Sequence, residues 1–492
     1  MTEIWFHLWP NAYKNQKTAL AKQLLANGET AMHYADKIDL GYMDSLDFKV
    51  NKQTVKLVYH PEHIDIAKLV LNEPLKSGDK IEITTPFFVK IPSSNFSRLG
   101  HGGTSYQLTQ WYPKPAVYDA LGWHAMPYLD QGEFYSEFGN FDVKITLPAN
   151  YMVAATGELQ TQKEIAYLNQ LAVSPVLDKD EINFRRTKTD SLKTLHYTAE
   201  KVHDFAIFTD KQYRVAKSSV KLPGSNREVT TWAFYTSHEE ELWQKATEYI
   251  NDALYYYSLW NGDYPYSNCT AVSGALSAGA GMEYPGITVI GTSGNAKSLE
   301  EVIMHEVGHN WFYGVLAFNE RMYPWMDEGM NSFCELRYME TKFPKATLSE
   351  MLPYTWADKF LDLNGKPYED MKRLSYLYSA RKNEDQATNL SADKFTNINY
   401  GTIVYYKTAV AFNYFRHVFG NDVTDHTLKT LYNEWQFKHP QPNDVRKIFE
   451  RETTANLSWL FDDLIGSNKV LDYKLSSFRK NKVTIKNTGD IA

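Results

Sequence analysis

The 492 residues carry 52 Lys and Arg against 59 Asp and Glu, a net charge of −7 with a pI near 6.1; there is no long basic block, which argues against nucleic acid or anionic lipid as the main partner. Apolar residues make up 43% of the chain, enough for real cores; the length suggests about three domains, and no run approaches the roughly twenty apolar residues of a membrane span. Two cysteines, Cys269 and Cys334, make no disulfide framework, and buried free thiols are the default expectation.

In chain order, the sequence opens without the basic and apolar regions of a signal peptide. From about residue 40 to 200, apolar and polar positions alternate between turn signals, as in Phe141-Asp142-Val143-Lys144-Ile145-Thr146-Leu147, which predicts a mainly antiparallel β domain over 1–214. Helical periodicity takes over near Glu239 and predicts a mainly helical domain over 215–465, interrupted by the glycine-rich run Gly279-Ala280-Gly281-Met282-Glu283-Tyr284-Pro285-Gly286. Ser298, three residues before Glu301, has the pattern that opens a helix, and Val302, Ile303, Val307, Trp311 and Phe312 continue it at helical spacing. Gly314 to Pro324 break the pattern, and Met326 to Met339 resume it, so Glu328 is expected in the first turn of a second helix. The polar stretch from Arg381 to Thr396 reads either as a loop beside a cleft or as an ordinary surface connection. Residues 466–492 end on Val483-Thr484-Ile485-Lys486-Asn487, one more strand, so the chain is a multidomain α+β protein whose two ends look incomplete. On that expectation, localisation stays open and an exported parent is compatible with it.

The first of the two predicted helices carries Met304-His305-Glu306-Val307-Gly308-His309-Asn310, and eighteen residues separate His309 from Glu328. Residues four apart share a helix face, so the imidazoles of His305 and His309 converge with the spacing a tetrahedral zinc requires. A carboxylate returning on a neighbouring helix, Glu328, supplies a third ligand and leaves the fourth position to water, the mark of a catalytic rather than a structural site. Glu306 is one step off the histidine face, in the position of a general base. The expected cofactor is therefore one Zn2+ per chain.

Together with the glycine-rich run, these motifs resemble the signature of the aminopeptidase N family of zinc gluzincins, which also contains the leukotriene hydrolases. In that family a Gly-x-Met-Glu-Asn strand lies along the substrate and its Glu binds the free α-amino group. The resemblance gives Glu283 that role, with Gly281 and Met282 lining the substrate. The chemistry is consistent, since a carboxylate fixed beside a metal is a charge-assisted acceptor for an ammonium. The family's Tyr-x-Lys-Gly-Ala pattern, whose tyrosine stabilises the oxyanion, is matched by Tyr405-Tyr406-Lys407-Thr408-Ala409; Tyr405 takes the role, or Tyr406 if the register differs by one. Tyr400 falls where leukotriene hydrolases carry a second active-site tyrosine. Tyr106 to Lys114 resembles the strand that reaches into the active site from the first domain, with Tyr112 where a Gln or Glu is usual and Gln110 two residues before it. Trp123-His124 through Tyr135, Ala154-Ala155-Thr156-Gly157 and His203-Asp204-Phe205-Ala206 extend the likeness over nearly the whole chain, starting inside the first β domain. Its departures are Tyr284 for Asn, Thr408 for Gly, and Tyr112. The resemblance implies a β N-terminal domain packed on a thermolysin-like catalytic domain, without the usual helical C-terminal domain.

The function expected is a zinc aminopeptidase acting on peptides with a free N-terminus. A leukotriene-type epoxide hydrolase, a zincin endopeptidase and a catalytically silent peptide-binding protein are the alternatives. A silent protein would lack the base or a ligand, and all four residues are present. An endopeptidase would cleave N-acetylated peptides, and an epoxide hydrolase would carry a lipid tunnel, of which the sequence has no mark.

Overall fold

The computed structural model describes residues 1–173, 179–275, 280–351, 362–470 and 472–491; Gly279, which opens the glycine-rich run, lies outside them. The chain forms two compact units, one of Met1–Leu222, Asn226–Tyr255 and Pro265–Asn310, the other of Pro223–Ser225, Tyr256–Tyr264 and Trp311–Ala492.

In the first unit, strand Glu3–His7 lies between Lys114–Pro115 and Ile66–Val70, which in turn pairs with Lys56–Tyr59, all antiparallel. Its inward residues Ile4 and Phe6 join Met43, Phe48, Val55 and Leu69 in one core. The alternation read around Phe141 is realised in strand Gly139–Pro148, which runs antiparallel to Leu192–Val202. Leu195, Tyr197, Phe205 and Ile207 form the core beneath. Between those strands the chain makes helices Gln162–Val173 and Lys179–Arg186, which the reading of a β domain did not anticipate.

A five-stranded sheet follows, in spatial order Arg214–Lys221, Glu228–Tyr235, Asn268–Ser273, Ile287–Ile290 and Gly281–Tyr284. The middle pairings are parallel and the outer two antiparallel. Gly281–Tyr284 is thus an edge strand, and helix Ala296–Gly308 packs on it and its neighbour.

The second unit is mainly helical. Its centre is helix Met330–Lys342, buried from Met330 to Met339 and packed against Thr408–Phe419. Helix Pro442–Thr453 begins with proline in its first turn and a reciprocal cap between Gln441 and Asp444, because proline fixes a helical φ where its missing N–H is not needed. The stretch after Arg381 is a tied connection: Thr388 and Asn389 donate to the Ile465 carbonyl, and the Gln386 side chain holds Thr396 and Lys394. Strands Tyr473–Arg479 and Lys482–Asn487 pair as a hairpin where one more strand was expected. Both cysteines are buried and neither is in a disulfide, and burial pushes the Cys334 thiol up to about 12. Among the described residues no helix is long and apolar enough to cross a membrane.

Candidate active site

Helix Ala296–Gly308 starts earlier than the Ser298 pattern predicts. Asn295 is its cap, accepting from the Ser298 amide at 2.9 Å, so Ser298 lies inside the first turn. Asparagine in extended backbone satisfies the otherwise orphaned amides as well as serine does. Leu299, Ile303 and Val307 form the buried stripe. His309 follows the last helical residue in helical conformation, its amide still bonded to the His305 carbonyl, so the four-residue spacing holds to the end. The Nε2 atoms of His305 and His309 lie 3.2 Å apart, with the rings at 80°. Asn310 then sews the end of the helix to the sheet, accepting from the Gly286 amide at 2.9 Å and donating to the Val307 carbonyl.

The edge strand Gly281–Tyr284 presents two faces, because side chains alternate along a strand. Gly281 faces the helix: a β-carbon there would lie 2.5 Å from Glu306 Cγ and Oε1. Only glycine lets that carboxylate lie against the strand. Glu283, two residues on, shares this face and is buried, as is Glu306. Met282 and Tyr284 face the other way. The Met282 sulfur accepts from Arg98 Nε at 2.9 Å, and the Tyr284 ring packs 5.9 Å from Phe208. Tyr284, in place of the usual Asn, is therefore a packing residue on the far side, and burial holds its hydroxyl well above the ordinary tyrosine value.

Gln110 and Tyr112 both turn to Asp204. Gln110 Nε2 donates to it at 3.1 Å and Tyr112 Oη at 3.2 Å, while Lys114 Nζ pairs with it at 2.9 Å. Burial first, and Asp204 beside it second, hold the Tyr112 phenol well above its usual range, so it remains a donor.

In the second unit, Glu328 sits in a π-helical turn, Trp325–Gly329, which precedes helix Met330–Lys342; the expected placement in that helix's own first turn is thus shifted by one element. Tyr405 belongs to a second π-helical segment, Tyr400–Lys407, and its hydroxyl donates to Glu328 Oε1 at 2.5 Å. Tyr400 stands edge-on to Tyr405, with centroids 5.8 Å apart. Tyr406 points elsewhere, under Lys372 Nζ at 4.9 Å. A β-carbon on Gly329 would meet Thr408 Cγ2 at 2.3 Å, so Thr408, where the pattern has glycine, occupies the space Gly329 leaves. Arg98 and Gln107, whose amide donates to the Ala275 carbonyl at 2.6 Å, went unnoticed in the sequence. No local motif marks Arg98, and the resemblance over Tyr106 to Lys114, which contains Gln107, singles out Gln110 and Tyr112 instead.

The peptidase family M1 domain matches residues 245–464, and M1 zinc metallopeptidase from Deinococcus radiodurans superposes with a TM-score of 0.58 at 14% identity, over 94% of this chain and 86% of that one. Over residues 245–464 the chain carries a peptidase family M1 domain. A variant of the same Deinococcus enzyme bound to a Tyr-Ser-Ala substrate gives 0.59 at 14% identity, with the same coverage. Legionella pneumophila aminopeptidase A in complex with aspartic acid gives 0.60 at 12% identity, over 91% of this chain and 48% of its own, so this chain spans about half of that one. At such identities the structural likeness is one of fold. No curated protein matches the sequence.

The M1 family is one of zinc metallopeptidases, and the histidine pair fits that metal. Two imidazole nitrogens at about 2.0–2.1 Å from one tetrahedral zinc stand about 3.3 Å apart, against the 3.2 Å between His305 and His309.

Proposed function

We propose that the chain is a zinc-dependent aminopeptidase that hydrolyses the N-terminal residue from peptides. The observation that carries the reading is Glu306 lying against Gly281, on the strand face that also bears Glu283: a base on the helix that leads into the histidine pair and an acceptor for an ammonium on the strand beside it line one wall. His305, His309 and Glu328, which offer one donor each, would hold one zinc. When bound, the metal polarises the scissile carbonyl and acidifies a water.

Glu306 takes the proton from the attacking water and returns it to the leaving amine. Glu283 pairs with the substrate ammonium and so selects chains with a free N-terminus. The backbone of Gly281 and Met282 lines the peptide, and Gln110 and Tyr400 border it. Tyr405 has one hydroxyl proton, given to Glu328 in the resting protein; in this reading it turns to the oxyanion as charge develops there. Residues 215–465 form the thermolysin-like domain, flanked by 1–214 and 466–492. Solved M1 metallopeptidases of this fold hold L-arginine, L-tryptophan or Tyr-Ser-Ala, ligands of the class proposed.

A fluorogenic aminoacyl library, assayed with and without chelator and against N-acetylated counterparts, tests the reading. Free substrates are expected to be cleaved and blocked ones spared. Glu283→Ala should cut kcat/KM on free substrates by about a hundredfold, the scale of losing a charge-assisted hydrogen bond. Equal cleavage of free and blocked peptides by the wild type would replace the aminopeptidase with an endopeptidase.

A further inference from the structure

An edge strand is held by its hydrogen-bond ladder on one side only, and among the described residues Gly281–Tyr284 has Ile287–Ile290 alone beside it. Its depth against helix Ala296–Gly308 therefore needs a second restraint. That restraint comes from the far face. Arg98 is buried, and its guanidinium is fixed by Glu133 Oε1 at 2.7 Å and by the carbonyls of Asp130 at 2.9 Å and Leu129 at 3.4 Å. The loop supplying those acceptors is pinned in turn, since Gln23 accepts the Asp130 and Gln131 amides at 2.8 and 2.9 Å. The Nε–H of this fixed group donates to the Met282 sulfur at 2.9 Å. A second grip lies earlier in the chain, at Gly274 and Ala275. There the Gln107 amide holds the Ala275 carbonyl and fills the space over Gly274.

We propose that Arg98 is a positioning residue for substrate-amine recognition: by holding the Met282 sulfur it sets the depth at which the strand presents Glu283. The inference rests on the aminopeptidase reading. Strand alternation is the coupling. Moving Met282 outward carries Gly281 and Glu283 with it, and Glu306 already fills the space that a β-carbon on Gly281 would take. Methionine suits the position because it is the one long apolar side chain that still accepts a hydrogen bond. Leucine would fill similar volume and leave a buried N–H without its acceptor.

The test uses the full-length, zinc-loaded protein with Met282→Leu and, separately, Arg98→Lys, which keeps the charge but loses the planar fork. Two quantities are read: KM and kcat on free aminoacyl substrates, and hydrogen exchange of residues 281–290 without substrate. KM should rise about tenfold with kcat within about threefold, as expected when binding geometry and not chemistry is disturbed. Exchange in 281–290 should quicken by about tenfold, with strands Glu3–His7 and Ile66–Val70 unaffected and zinc content unchanged. Unchanged exchange in 281–290 overturns the assignment, and so does faster exchange throughout the first unit, which would make Arg98 a general core residue. Met282→Leu keeps the test open should Arg98→Lys fail to fold. Exchange needs no turnover, so a wild type inactive on every aminoacyl substrate sinks the proposed function, while unaltered exchange sinks the role of Arg98.

Discussion

The carboxylate of Glu306 lies where a β-carbon on residue 281 would collide with it, so its position depends on a glycine 25 residues earlier in the chain. If it is the proton acceptor, Glu306→Gln keeps the zinc and lowers turnover by at least about a hundredfold, the usual scale of positioned acid–base catalysis. Elemental analysis beside turnover checks this, and near-normal turnover in a metallated variant would assign the proton to another group. The tyrosines separate in the same way. Tyr405→Phe should lower kcat by roughly 100- to 1,000-fold, as loss of one oxyanion donor does. Tyr406→Phe should leave kcat nearly alone, since that ring lies under Lys372; the reverse pattern would exchange their roles. The histidine pair was legible in the sequence because helix periodicity is a local signal. Arg98 was not, because its partner Met282 lies 184 residues away and only burial reveals the pair.

At the scale of elements, the helix bearing the histidines was legible and its start was misplaced, because Asn295 and Ser298 are both good caps and only backbone geometry decides between them. The π turns were not legible at all. The Met330 amide reaches the Trp325 carbonyl and the Thr408 amide the Ile403 carbonyl, steps of five residues in each case, and a 3.6-residue pattern cannot announce such a turn. They meet where Gly329 makes room for Thr408. Gly329→Ala should cost about 1–3 kcal/mol by overpacking, and Thr408→Gly about 1 kcal/mol as a helix glycine. The double variant should recover about 1 kcal/mol of their sum, and additivity within about 0.3 kcal/mol in urea unfolding would show that the glycine serves something else. Lys407, in the second π segment, is buried, and that burial holds its amine down to about 8, from an ordinary value of 10.5. Between those values the unfolded chain binds more protons than the folded one, so stability attributable to this group rises with pH from about 8 to about 10.5. Denaturation midpoints across that window should rise less in Lys407→Met than in the wild type, and parallel curves would place the titration elsewhere.

At the scale of the whole molecule, the change from strand to helix could be read because period two and period 3.6 differ over any ten residues. The division into compact units could not, since the first unit gathers three separate stretches and the second gathers the other three, and long-range contacts leave no periodic trace. The metal gives a prediction at this scale. The three proposed ligands, His305, His309 and Glu328, span 24 residues of sequence, and an unfolded chain does not hold them in one geometry, so zinc binds the folded state alone. Its removal should then lower stability by about RT ln([Zn]/Kd), roughly 4 kcal/mol where free zinc is a thousandfold above Kd. For a chain of this size that is a drop in Tm on the order of 5 °C. His309→Ala should melt at one temperature with or without chelator, while Glu306→Gln, which loses the base and keeps the ligands, should retain the full shift. A wild type whose Tm is unmoved after elemental analysis shows the zinc gone would mean that the metal does not hold these residues together, and the ligand assignment would fall with it.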